Sequence, residues 1–152
     1  MQCVICDATP DEEQSIRLLL NLVIHESLNG EVHDLPSIVE NVNRNVDQWL
    51  AGQETILHLV AEVDGELVGA LLIKDFWNLC SLFVHPAHQR KGIGQQLVRT
   101  ALGRCKGKSQ RAGVALNAND EAIPFYRSLG FEVRDVPRPP PAGSTAMWLG
   151  FE

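Results

Sequence analysis

The sequence predicts a mixed α/β fold, a central sheet of antiparallel and parallel strands flanked by about four helices. Three observations carry this. Apolar, β-branched residues from Thr55 to Val63 lead into Asp64-Gly65 and return from Glu66 to Ile73, the pattern of an antiparallel hairpin. The strand-like run Leu79 to Val84 is followed, across Gln89 to Gly94, by a helical face of Ile93, Leu97, Val98, Ala101, Leu102 and Cys105. From Gly113 onward, strand and helix patterns alternate again.

In chain order, residues 2 to 7 are short, apolar and β-prone. Thr9-Pro10-Asp11-Glu12 then supplies an N-cap, a proline at the first helical position and the glutamate of a capping box. Ile16, Leu19, Leu20 and Val23 recur at helical spacing until Asn29-Gly30. After a polar loop with Glu31, His33 and Asp34, a second stripe of Val39, Val42, Val46, Trp49 and Leu50 runs to Gly52. Two helices therefore precede the hairpin. The Leu79 to Val84 strand stops at His85-Pro86, because proline donates no ladder hydrogen bond. Beyond the long helix ending at Lys106-Gly107 come a strand from Gly113 to Ala118 and a helix from Ala122 to Leu129 closed by Gly130. A strand from Phe131 to Val136 and a last one near Ala146 to Leu149 complete the pattern. Pro137-Arg138-Pro139-Pro140-Pro141 between them reads as a stiff, extended loop.

Composition narrows the function. A chain of 152 residues, 45% hydrophobic, suits one domain over residues 1–152 with a sizeable core. A formal charge of -6 argues against general nucleic-acid affinity, which needs an electropositive face, so any polyanion must be bound locally. The longest apolar stretches, such as Leu67 to Ile73, fall far short of the roughly 20 residues that cross a bilayer. The start, Met-Gln-Cys-Val-Ile-Cys-Asp, shows no secretory signal, and a cytoplasmic location is the expectation. Cys3, Cys6, Cys80 and Cys105 are read as free thiols. No metal is expected: Cys3-x-x-Cys6 lacks a second ligand pair, and His85 and His88 flank a proline, solvent-exposed, without a third ligand. Trp49, Trp77 and Trp148 read as core or interface residues.

The segment Gln89-Arg90-Lys91-Gly92-Ile93-Gly94 carries the chemistry. Gly92 and Gly94 at the mouth of a helix leave main-chain N–H groups unhindered, and a helix N-terminus carries about half a positive charge, so the turn suits a phosphate. Arg90 and Lys91 add cations, and Gln89 an amide. A P-loop requires lysine and a hydroxyl residue after its last glycine, and a dinucleotide fingerprint requires glycine or alanine where Leu97 stands. Neither fits.

Val84-His85-Pro86, Gln89 to Gly94 and Leu97 resemble the coenzyme-binding motif of the GCN5-related N-acetyltransferase (GNAT) family. The segment Asn119-Asp120-Glu121-Ala122-Ile123-Pro124-Phe125-Tyr126-Arg127-Ser128-Leu129-Gly130-Phe131 resembles the same family's second motif. The order of elements fits over nearly the whole chain, while the first 50 or so residues match in pattern alone. The resemblance implies an acetyl-CoA cleft between the strands ending at Val84 and near Ala118, the fourth and fifth of the sheet, which splay apart. Pantetheine would pair with the main chain of Leu82, Phe83 and Val84 as an added strand. The diphosphate would rest on the amides of Gln89, Arg90, Lys91, Gly92, Ile93 and Gly94, with Asn119 near the pantetheine arm. The basic cluster Arg99, Arg104, Lys106, Lys108 and Arg111, which suits a helix C-terminus, would lie near the coenzyme's 3′-phosphate.

Acetyl transfer from a thioester to an amine needs a neutral amine, a stabilised oxyanion and a proton for the leaving thiolate. Tyr126, the one tyrosine of the chain, stands where the family places that acid, and a phenol of pKa about 10 is protonated at neutral pH. A main-chain N–H near Phe83 or Val84 would meet the oxyanion. Many family members carry a carboxylate on the strand before the phosphate turn, but Asn78, Leu79, Cys80, Ser81 and Leu82 provide none. Glu26, Glu31 and His33, around the loop that walls the acceptor site in the family, are the candidates for the acceptor side. The expected partner is an amine-bearing small molecule or protein, with no nucleic acid and no membrane, and a homodimer is left open. The competing reading is a non-catalytic acyl-CoA-binding or sensor module.

Overall fold

The structure is a computed structural model that describes residues 2–52 and 54–152; Met1 and Gln53 lie outside the described residues. Its strands are β1 (Cys3–Asp7), β2 (Ile56–Val63), β3 (Glu66–Lys74), β4 (Asn78–Val84), β5 (Gly113–Asn119), β6 (Glu132–Val133) and β7 (Ser144–Gly150). Its helices are α1 (Glu13–Ser27), α2 (Leu35–Leu50), α3 (Ile93–Cys105) and α4 (Ile123–Ser128). The strands form one sheet in the order β1-β2-β3-β4-β5-β7-β6. Each neighbouring pair is antiparallel except β4 and β5, which are parallel.

Alternation along the strands divides the interior into two cores. Leu57, Leu59, Ala61 and Val63 of β2 and Leu71 and Ile73 of β3 face Ile93, Leu97, Val98 and Ala101 of α3 and Tyr126 of α4. Val60 and Ala70 point the other way, against Ile16, Leu20 and Val23 of α1 and Val42 and Val46 of α2. Helices on both faces explain why β2 is buried almost throughout, as strands covered on both sides are.

Local chemistry sets the joints. Glu12 accepts hydrogen bonds from the Thr9 N–H at 2.9 Å and the Thr9 hydroxyl at 3.2 Å, although its first turn, Pro10–Glu12, is a 3-10 turn that precedes α1 proper. At the β2–β3 turn Asp64 and Gly65 both take left-handed backbone, φ 52° and 81°, the geometry that matches strand twist. The β3–β4 turn repeats it without glycine, at Asp75 and Phe76 with φ 55° and 61°. That backbone costs a side-chain-bearing residue roughly 1–2 kcal/mol. Phe76 offsets part of the cost by packing against the core under Lys108, whose Nζ lies 5.3 Å from the ring centre.

Two expectations need correction. The strand anticipated over Phe131 to Val136 is only Glu132–Val133, because the Phe131 N–H closes α4 on the Tyr126 carbonyl at 3.1 Å. One further ladder bond, Arg134 N–H to Ala146 O at 3.0 Å, precedes the prolines. The basic cluster gathers toward the C-terminal end of α3 and the turn after it. Lys106, Lys108 and Arg111 follow the C-terminal end of α3, whose 13 residues place them about 20 Å from its N-terminus. There Arg104 pairs with Asp7 at 3.1 Å, and Arg111 lies over the Trp77 ring at 3.6 Å. The second correction concerns His85 and His88, which are half-buried rather than exposed. Among the described residues no group of three or more His, Cys, Asp or Glu is placed to hold a metal ion, and no helix is long and apolar enough to cross a membrane. All four cysteines are free thiols.

Candidate active site

β4 and β5 meet through a single register pair, Asn78 opposite Ala115, with Ala115 N–H donating to Trp77 O at 2.7 Å. Beyond that bridge the strands diverge. A cleft of about 1580 Å³ opens there and runs under α2. It exceeds the roughly 300–1,000 Å³ of a typical small-ligand pocket, room for two substrates side by side.

Leu82, Phe83 and Val84 line one wall, and Asn119 and Tyr126 the other. At the mouth, Gly92 caps α3 in left-handed conformation, φ 84°, so the first turn of α3 presents its unpaired N–H groups to the cleft. A Cβ at Gly94 would sit 3.3 Å from Phe125 Cζ and 3.7 Å from Val84 Cγ2, so glycine lets the helix start close to both walls. Arg90 is left-handed too, φ 63°, a strained position for a side-chain-bearing residue. Gln89, Arg90, Gly92 and Gly94 line the cleft; Lys91 is exposed beside it, and the Ile93 side chain is buried in the core, leaving its amide for a ligand. The Gln89 side chain is already occupied, donating to Val84 O at 2.9 Å and Ser27 Oγ at 3.4 Å. It braces the turn against β4 and α1.

Tyr126 is buried, its ring edge-on to Phe125 at 5.0 Å and Phe131 at 5.7 Å between centres. Burial pushes its phenol above the ordinary range, so the proton stays on oxygen at physiological pH. Of the three acceptor-side candidates, His33 is brought into the cleft and Glu26 and Glu31 are left exposed outside its lining. His33 is buried, with Nε2 3.3 Å from Glu121 Oε1, which joins the α1–α2 loop to the turn before α4. Sequence reasoning missed Glu121 as a partner, since nothing local links residues 88 apart.

Sheet order, the β4–β5 split and the glycine turn at the mouth of α3 define a GNAT fold. The chain belongs to that family: the family model described as "Acetyltransferase (GNAT) domain" matches residues 26–139. An uncharacterized N-acetyltransferase of Methanocaldococcus jannaschii is 30% identical over 104 residues, covering 59% of this chain and 45% of that protein. A mycothiol acetyltransferase of Mycolicibacterium vanbaalenii is 33% identical over 107 residues, covering 59% of this chain and 34% of that one. The chain thus spans less than half the length of these relatives. The PaiA N-acetyltransferase of Thermoplasma acidophilum, solved in complex with coenzyme A, superposes with a TM-score of 0.76 at 19% identity, covering 99% of this chain and 100% of that one.

Proposed function

We propose that the chain transfers an acetyl group from acetyl-CoA directly to a primary amine of a small molecule or protein. The observation that carries this is the joint placement, in one cleft, of a helix-capping glycine turn and a buried, protonated Tyr126. The missing Cβ atoms at Gly92 and Gly94 suit a diphosphate on the N–H groups of Gln89 to Gly94, and the β4 main chain beyond Asn78, released from β5, suits a pantetheine amide pairing as an extra strand. Bound acetyl-CoA supplies the activated thioester.

Within that cleft Leu82, Phe83 and Val84 position the acyl donor, and a main-chain N–H near Phe83 or Val84 stabilises the developing oxyanion. Tyr126 gives its proton to the sulfur as the C–S bond breaks and the C–N bond forms. His33, held beside Glu121, takes the proton lost by the amine, directly or through water, and so answers for the carboxylate that β4 lacks. Asn119 lines the same wall as Tyr126 and suits the pantetheine arm.

The bare β4 strand is also what a non-catalytic acyl-CoA-binding module would show. Release of free CoA thiol from acetyl-CoA, followed with a panel of amines, separates the two. Amine-dependent release supports transfer; tight acetyl-CoA binding with no amine raising release above background establishes the module instead.

A further inference from the structure

Three segments of the chain meet at His33. The loop between α1 and α2 is fixed by Asn29, whose carbonyl accepts from the Val32 N–H at 3.0 Å and the His33 N–H at 2.8 Å, and whose side chain accepts from the Glu31 N–H at 2.9 Å. The turn after β5 supplies Glu121, with Oε1 3.3 Å from His33 Nε2. The end of the proline-rich loop supplies Gly143, whose carbonyl accepts from the Asp120 N–H at 2.9 Å, while Thr145 Oγ1 donates to Asp120 Oδ1 at 2.7 Å. Glu121 and Gly143 are therefore carried by one joined unit. A Cβ at Gly143 would lie 2.8 Å from His33 Cε1, 3.0 Å from His33 Nδ1 and 2.7 Å from Val32 Cγ1, on a φ of 79°. Glycine lets the loop lie flush against the imidazole, where a side chain would displace the ring.

These contacts decide which nitrogen of His33 is basic. An ionised carboxylate only accepts, so in the neutral ring Nε2 carries the hydrogen and the lone pair is left on Nδ1, which has no hydrogen-bond partner among the described residues. The His33 side chain is 3% exposed and that of Glu121 56%, so the pair adds little to stability and its consequence is orientation. His33 lines the same cleft as Phe83 and Tyr126, as do Ala142 and Ser144 on either side of Gly143.

We propose that His33 accepts the amine's proton at Nδ1 and that Glu121 and Gly143 are its positioning residues, the carboxylate holding Nε2–H and offsetting the charge of the imidazolium, the glycine keeping the ring in place. This rests on the acetyl-transfer reading and names the accepting atom and its supports. As the C–N bond forms, one amine hydrogen passes to Nδ1, directly or through water; as the C–S bond breaks, the Tyr126 hydroxyl hydrogen passes to sulfur. Return of the imidazolium proton to the phenolate through solvent restores both groups, with the amide and the free CoA thiol as products. The carboxylate never takes the proton itself.

The test reads tautomer and turnover separately. Long-range proton–nitrogen correlation spectra of the imidazoles in mildly alkaline buffer, with His33→Gln to assign the signals, should show His33 in the Nε2–H form, and Glu121→Ala should remove that preference. In the thiol-release assay, with the amine of the panel that is turned over fastest, Glu121→Ala should lower kcat about tenfold and leave KM for the amine within about twofold, Glu121→Asp recovering part of the loss. Gly143→Ala should lower kcat by about tenfold or more. Parental acetyl-CoA affinity verifies that each variant folds, and if Gly143→Ala does not fold, the Glu121 variants decide alone. An Nδ1–H ring in the parent, a kcat indifferent to Glu121→Ala, or a loss confined to KM overturns the proposal and leaves acetyl transfer standing. Absence of turnover with every amine, despite acetyl-CoA binding, sinks both.

Discussion

At the scale of single residues, burial decides protonation. Tyr126 is held by Phe125 and Phe131, so Tyr126→Phe keeps the ring packing and removes only the hydroxyl. Turnover in the thiol-release assay should fall by roughly 10²-fold while acetyl-CoA affinity stays within about twofold; undiminished turnover would take Tyr126 out of the mechanism. His58 works on stability. It is buried with the Trp49 ring edge-on at 4.5 Å, and burial drives its pKa down to about 4, against a weaker opposing pull from Glu12. Unfolded, it titrates near its ordinary pKa of about 6.5, so between these values the unfolded chain holds a proton the folded chain refuses. Stability from this group is complete above about pH 6.5 and declines, by at most about 1.4 kcal/mol per pH unit, as pH falls toward 4. Urea midpoints at pH 7 and pH 5 should therefore separate more for the parent than for His58→Leu. Equal separations would show that His58 is not the group responsible.

At the scale of elements, the Gln89–Gly94 turn holds Arg90 and Gly92 in left-handed backbone, the shape that the proposed function assigns to a diphosphate. Gly92→Ala puts a Cβ on a φ of 84° and should cost about 1–2 kcal/mol in urea unfolding, with at least a tenfold loss of acetyl-CoA affinity by calorimetry. Arg90→Gly should act oppositely on the two readouts, relaxing a φ of 63° and raising stability while weakening the coenzyme through the lost cation. Features of this kind were readable in the sequence because they are local: Asp64-Gly65 and Gln89 to Gly94 declare themselves within a few residues. What depends on distant partners was not. The β-prone run after Phe131 loses its first residue to the α4 cap and its end to the prolines. The cations around the end of α3 suit a helix C-terminus in sequence, but their partners, Asp7 for Arg104 and Trp77 for Arg111, lie far off in the chain. His33 was legible as a candidate only through the loop it occupies, and its pairing with Glu121 appears once the chain is folded.

Across the whole molecule, the sheet is continuous except where β4 and β5 part, and that gap joins the half built on β1–β4 to the half built on β5–β7. If acetyl-CoA fills the gap as an added strand, it links elements that are otherwise held by one bridge and by the packing of α3 and α4. Binding to the folded state alone, at a hundred times Kd, should stabilise by about 2.7 kcal/mol. For a chain of 152 residues this amounts to a rise of about 5–10 °C in Tm. The location of the effect is more telling than its size. Amide exchange should slow along β4 from Leu79 to Val84 and in the first turn of α3, and remain unaltered in β1 and β2, whose ladder is complete without ligand. Protection confined to Gln89–Gly94 would instead mean that the turn grips a phosphate without strand addition, and the pantetheine would then have to lie elsewhere in the cleft.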